Sequence, residues 1–139
     1  MLDDILDGFE AHIVTVRLRR EKQERAEAER RELERRRGLA KARRDRDNER
    51  KRLLNRLILT TRQVAQLRDL IGSYEQVEMS NTNGDLDRMI HWMRAQLSAL
   101  EASLDPDNLA KELGTRKLFP EVDELVDPLG EPPQEQHWY

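Results

Sequence analysis

Eight cations crowd a short stretch of the chain: Lys41, Arg43, Arg44, Arg46, Arg50, Lys51, Arg52 and Arg56, opposed across residues 39–56 only by Asp45, Asp47 and Glu49. The chemistry open to such a cluster is electrostatic. Guanidinium and ammonium groups strung along a helix neutralise phosphates and release the counterions condensed on a nucleic-acid backbone, so these eight residues are the candidate nucleic-acid contacts. A second reading fits the same residues: a solvated strut whose charges keep a long helix in water and hold its two ends apart.

No other constellation carries chemistry. His12, His91 and His137 lie far apart in sequence and none pairs at i,i+4 with another ligand type, whereas metal sites cluster their ligands. "MSNTNGDLDRMI", around Gly84, has the outline of a calcium loop, but its first and twelfth positions would be Met79 and Ile90, where such a loop needs carboxylates. There is no cysteine, hence no disulfide framework, thiolate ligand or thiol nucleophile. Neither a phosphate-cradling glycine loop nor a nucleophile elbow occurs. The carboxylates fall on polar helix faces or in the tail, where an acid–base pair would lack a pocket. The expectation is a protein that is not an enzyme and uses no cofactor, no metal and no small-molecule substrate.

The elements that must position the cations are helical. A chain of 139 residues that is 37% hydrophobic and 4% aromatic cannot fill a thick globular core. A charged fraction of 38%, rich in Arg and Glu, is the composition of long helices. Charge is segregated along the chain: residues 1–16 carry −4, residues 17–56 carry +9, residues 57–100 carry −1 and residues 101–139 carry −7. No apolar run approaches the ~20 residues of a membrane span, and the acidic start "MLDDILDG" is unlike a signal peptide. The expected location is cytoplasmic, with no membrane partner.

Leu2, Ile5, Phe9, Ile13 and Val16 recur at spacings of three and four, the mark of one helical face, and Asp3 and Asp4 sit where a helix N-terminus favours negative charge. From Arg19 to Arg52 the stripe is gone and a helix would be polar all round. It persists through good helix formers and through the i,i+4 pairs Glu21/Arg25, Glu27/Arg31 and Glu32/Arg36, each worth ~0.2–0.5 kcal/mol. Gly38 is the weak point, costing roughly 1 kcal/mol in a helix interior, so the helix either kinks there or runs on. A continuous helix over residues 2–71 would be a rod of about 105 Å, at about 1.5 Å per residue.

Leu53, Leu57, Val64, Leu67 and Ile71 restore a stripe that demands burial. "SNTNGD", Ser80 to Asp85, is dense in turn formers and reverses the chain. Leu86, Ile90, Met93, Leu97 and Leu100 then form a heptad seam that runs on to Leu104. Trp92 falls off that seam and is expected to contact a third element or a partner. One hairpin buries little, so these residues together are the candidate interface, and a homo-oligomer or a helical protein partner is expected. "LDPDNLAKELG" reads as a capped helix with Asp105 at the N-cap, Pro106 at the first helical position and Gly114 beyond its end. "LFPEVDELVDPLG" in the acidic tail reads as a docking peptide or, preferably, as a strap across the hairpin.

The fold expected is all-α: an elongated long helix (1–79, with the charged arm at 19–52), a turn at 80–85, a shorter antiparallel helix (86–104) completing a helical hairpin or coiled coil, a small helix (105–114) and an irregular acidic tail (115–139). "NERKR", at Asn48 to Arg52, followed by a stripe, a loop and a heptad helix, is similar to a basic helix-loop-helix reader, but the register fails where Thr60 occupies the position of a buried residue. The order of "LDDIL", the arm "RLRREKQERAEAERRELERRR", "LRDLI" at Leu67 to Ile71, Trp92 and "LDP" at Leu104 to Pro106 resembles the C-terminal Arg/Glu-rich arm of a group of uncharacterised bacterial proteins that begin with a helix-turn-helix-like segment. That resemblance implies association with DNA-binding machinery and carries over no functional residue. The expected function is a non-catalytic helical module of a DNA-associated complex, mediating oligomerisation or partner binding while its basic arm contacts phosphates. The alternative is a purely structural coiled-coil adaptor with the charged helix as a spacer.

Overall fold

The computed structural model describes residues 2–77 and 84–135. Three helices carry them: α1 (Leu2–Glu75), α2 (Asp85–Ser103) and α3 (Pro106–Arg116). No strand occurs among the described residues, so the all-α expectation is met. Most of the expected turn, residues 80–83, lies outside the described residues, as does His137. α1 runs unbroken through Gly38. Thr15, Thr60, Thr61 and Ser73 sit inside it with each hydroxyl donated to the carbonyl four residues back, at 2.7–3.0 Å, the bond these side chains find mid-helix.

The chain divides into two compact units, Met1–Arg44 with Glu124–Tyr139, and Asp45–Asp123. In the second unit, α2 and α3 run antiparallel to the C-terminal part of α1. As the α1 residue goes from Glu75 to Arg68, Arg56 and Glu49, its ion-pair partner advances from Arg94 to Glu101, Glu112 and Arg116. Ile71, Ile90 and Met93 are buried together, with Leu67, Tyr74, Leu86 and Leu97 packed around them. The apolar stripes therefore meet within one chain. Of the candidate interface residues, Leu53, Val64, Ile71, Ile90 and Met93 are buried and Leu57, Leu67, Leu86, Leu97 and Leu100 half-buried. Trp92 is 61% exposed. Off the seam, it is largely solvent-facing among the described residues.

The chain enters α2 through Gly84, whose φ of 66° is left-handed, a conformation glycine adopts without a Cβ penalty. Asp85 and Asp87 follow in the first turn, where they complement the helix dipole. α3 opens as expected: the Asp105 carboxylate accepts from the Asn108 amide at 3.3 Å, and Pro106 occupies the first helical position. Its end differs from expectation. Gly114 stays helical and the helix closes two residues later. The last turn is held by Arg116, which pairs with Glu112 at 3.1 Å and with Glu49 of α1 at 2.6 Å. Lys117 then takes the left-handed conformation, φ 52°, at a cost of roughly 1–2 kcal/mol for a residue with a Cβ. Lys117→Gly is expected to raise the stability of this unit by about 0.5–1 kcal/mol, the relief being partly offset by the freer unfolded chain. A urea titration checks this.

Candidate functional site

The charged arm is a set of receptors for the chain's own C-terminal segment. In the first unit the centre is Arg36. Its Nε donates to Asp127 Oδ2 at 2.7 Å and its Nη2 to the Gly130 carbonyl at 3.2 Å. The two acceptors flank a tight turn, Asp127–Pro128–Leu129–Gly130, closed by a Gly130 amide bond to the Asp127 carbonyl at 3.1 Å. The sequence dictates that turn: Pro128 fixes φ at the second position, the Asp127 side chain accepts the Leu129 amide at 3.0 Å, and Gly130 supplies φ 82°. Arg43 reaches the same segment on either side of the turn, donating to the Leu125 carbonyl at 2.6 Å and to Glu131 at 2.9 Å. Arg37 donates to the Pro133 carbonyl at 3.0 Å and to Glu135 at 3.3 Å. Ala40 and Pro132, both buried, line a shallow groove with Lys41 and Arg44.

The second unit repeats the device at its own end of the arm. Arg46 holds Asp123 with both terminal nitrogens at 2.9 Å, the bidentate geometry that a planar guanidinium offers a carboxylate. Arg50 donates Nε to the Leu118 carbonyl at 2.8 Å while its guanidinium carbon lies 4.4 Å from the centroid of Phe119, a cation–π contact. Arg56 is bidentate to Glu112 of α3 at 2.5 and 2.8 Å.

The electrostatics follow from these contacts. The Arg36 hydrogen bond, and after it the Leu129 amide, hold the Asp127 carboxyl below the ordinary carboxylate range. Arg56 does the same for Glu112, aided by Arg116. Asp123 and Glu112 in turn raise Arg46 and Arg56. Every shift favours the charged form, the signature of ion pairing rather than of a group poised for proton transfer.

The eight predicted cations thus separate into groups. Arg43 and Arg46, their side chains 19% and 13% exposed, are committed to Glu131 and Asp123, and Arg50 and Arg56 to Leu118 and Glu112. Among the described residues, Lys51 and Arg52 make only local pairs, with Asp47 and Glu49, and remain 70% and 74% exposed. Lys41 and Arg44 are exposed and form no ion pair among the described residues. Arg36 and Arg37 lie outside the basic stretch chosen from sequence. Their signal was the acidic C-terminal block, whose charge opposes that of the arm, together with the turn signature "DPLG". Glu32 pairs with Arg35 at 2.6 Å rather than with Arg36, because Arg36 is taken by Asp127.

Among the described residues no group of His, Asp and Glu is arranged to hold a metal ion, and no helix is long and apolar enough to cross a membrane. Comparison with protein families, curated proteins and solved structures finds no match.

Proposed function

We propose that the protein is a non-catalytic helical adaptor in which the charged part of α1 serves first as a seat for the chain's own acidic segment. One observation carries this reading: three largely buried arginines of the arm, Arg36, Arg43 and Arg46, at 13–19% side-chain exposure, are paired with carboxylates of the same chain. A cation already paired and hydrogen-bonded offers a phosphate little, since the existing bonds must first be broken. The expected result is no detectable binding of duplex DNA at about 150 mM salt, measured by fluorescence anisotropy.

The second reading, an arm that contacts nucleic-acid phosphates, is favoured by the solvent-facing set Lys41, Arg44, Lys51 and Arg52. Four such cations would give a log–log salt slope of at most about −3.6, at about −0.9 per phosphate. Binding at 150 mM salt that is lost in the Lys41→Glu, Arg44→Glu double variant would establish that reading and displace the adaptor.

A further inference from the structure

The seat on the first unit offers more than the segment filling it uses. Three arginines hold residues 124–135 through an ordered series of acceptors. Arg43 takes the Leu125 carbonyl and the Glu131 carboxylate, Arg36 the Asp127 carboxylate and the Gly130 carbonyl, and Arg37 the Pro133 carbonyl and the Glu135 carboxylate. Half of these acceptors belong to the main chain, so the seat reads the path of a peptide as well as its charge. Beside the segment runs a groove of about 590 Å³, bounded by Arg37, Lys41 and Arg44 on the helix and by residues 131–135 on the other side. Glu131 and Glu135 face it but are engaged by Arg43 and Arg37. Lys41 and Arg44 are exposed and have no ion-pair partner among the described residues, and the remaining side chain that could meet them there is the uncharged Gln134.

The chain's own segment is therefore an incomplete ligand. We propose that the seat recognises an acidic, proline-containing peptide of a partner protein, one that keeps the tight turn Asp-Pro-x-Gly followed by Glu-Pro-Pro and adds a carboxylate where this chain has Gln134. Clusters of arginine read acidic motifs in this way, and prolines hold the bound path in advance. Exchange of this kind rests on the adaptor reading, in which residues 124–135 fill the seat of the free chain. It is feasible because Glu131 and Glu135 are 72% and 64% exposed, and ion pairs so open to water contribute little. What the partner must overcome is mainly the tether, which holds the chain's own segment at an effective concentration of order millimolar.

The probe is a fluorescein-labelled peptide of residues 124–135 carrying Gln134→Glu, titrated by anisotropy against two full-length chains. One is unmodified; in the other Asp127→Asn, Gly130→Val and Glu131→Gln disable the chain's own segment. The peptide should bind the disabled chain about tenfold more tightly or better, because nothing tethered competes there. On that chain the peptide with Gln134 kept should bind roughly two- to fivefold more weakly, the worth of an exposed ion pair, and Lys41→Ala with Arg44→Ala should erase the difference. Arg36→Lys keeps the charge but loses the fork that takes a carboxylate and a carbonyl together, and should weaken both peptides about tenfold. No binding to either chain at millimolar peptide overturns the proposal, as does equal binding to the two chains. So does equal binding of a scrambled peptide of the same composition, the mark of a charge attraction that nucleic acid would share. Limited proteolysis tells the two failures apart. If residues 124–135 are cut more slowly in the unmodified chain than in the disabled one, the adaptor reading stands although the peptide fails; if they are cut equally fast in both, that reading falls and the exchange with it.

Discussion

Replacing Asp123 and Asp127 by Asn and Glu131 by Gln is expected to turn the protein into a polyanion binder. The three carboxylates are the partners of Arg46, Arg36 and Arg43, and amides of the same shape keep one acceptor oxygen but lose the negative charge and the second acceptor, so the ion pairs are gone. Freed, three cations become available to phosphate, so the log–log salt slope for duplex DNA should steepen by up to about 2.7, at about 0.9 per phosphate. At about 50 mM salt the affinity should rise at least tenfold over the unmodified chain, and limited proteolysis should cut first within residues 118–135. Acid should release the Arg36–Asp127 pair without mutation. The Asp127 carboxyl titrates lower folded than unfolded, so its contribution is present above the unfolded value and is lost as the pH falls through the folded one. An affinity for DNA unchanged by the triple replacement would show that the carboxylates are not what withholds the arginines.

That experiment bears on what the sequence reveals and what it withholds. The helices were legible because their signals are local. The stripe from Leu53 to Ile71 and the seam from Leu86 to Leu100 each repeat within a few turns, and Asp105 with Pro106 starts α3 by a rule spanning four residues. The destination of the acidic tail was not legible in that way. Opposite charges at residues 17–56 and 101–139 require only that the blocks attract; they set no register, since any arginine can meet any carboxylate. Register comes from geometry that appears only on folding: the tight turn at Asp127–Gly130 presents a carboxylate and a carbonyl at one spacing, and Arg36 takes both. A cluster chosen by density alone therefore began too late to include Arg36 and Arg37. Gly114 misled for a related reason. Its cost in a helix interior is about 1 kcal/mol, of the same order as the tertiary pair of Arg116 with Glu49 and its i,i+4 pair with Glu112 taken together.

Met93→Asp is expected to unfold the hairpin, whereas Trp92→Ala, one residue away, leaves it intact. Met93 is 6% exposed and lies with Ile71 and Ile90 in the buried cluster where α1 and α2 meet. Deleting a buried methionine side chain costs about 2–5 kcal/mol, and a carboxylate in its place adds an unpaired charge with no cation of that cluster to receive it. A core of so few buried residues has little surplus to absorb the loss. Trp92, facing solvent, makes no such contact, and its removal should change stability by no more than about 0.5 kcal/mol. Far-ultraviolet circular dichroism through a urea titration reads both variants. Repeating it over a hundredfold range of protein concentration separates two origins of the same seam. Because Ile71, Ile90 and Met93 come together within one chain, the loss caused by Met93→Asp should be the same at both ends of that range; a loss that grows as the protein is concentrated would mean that the seam is built between chains.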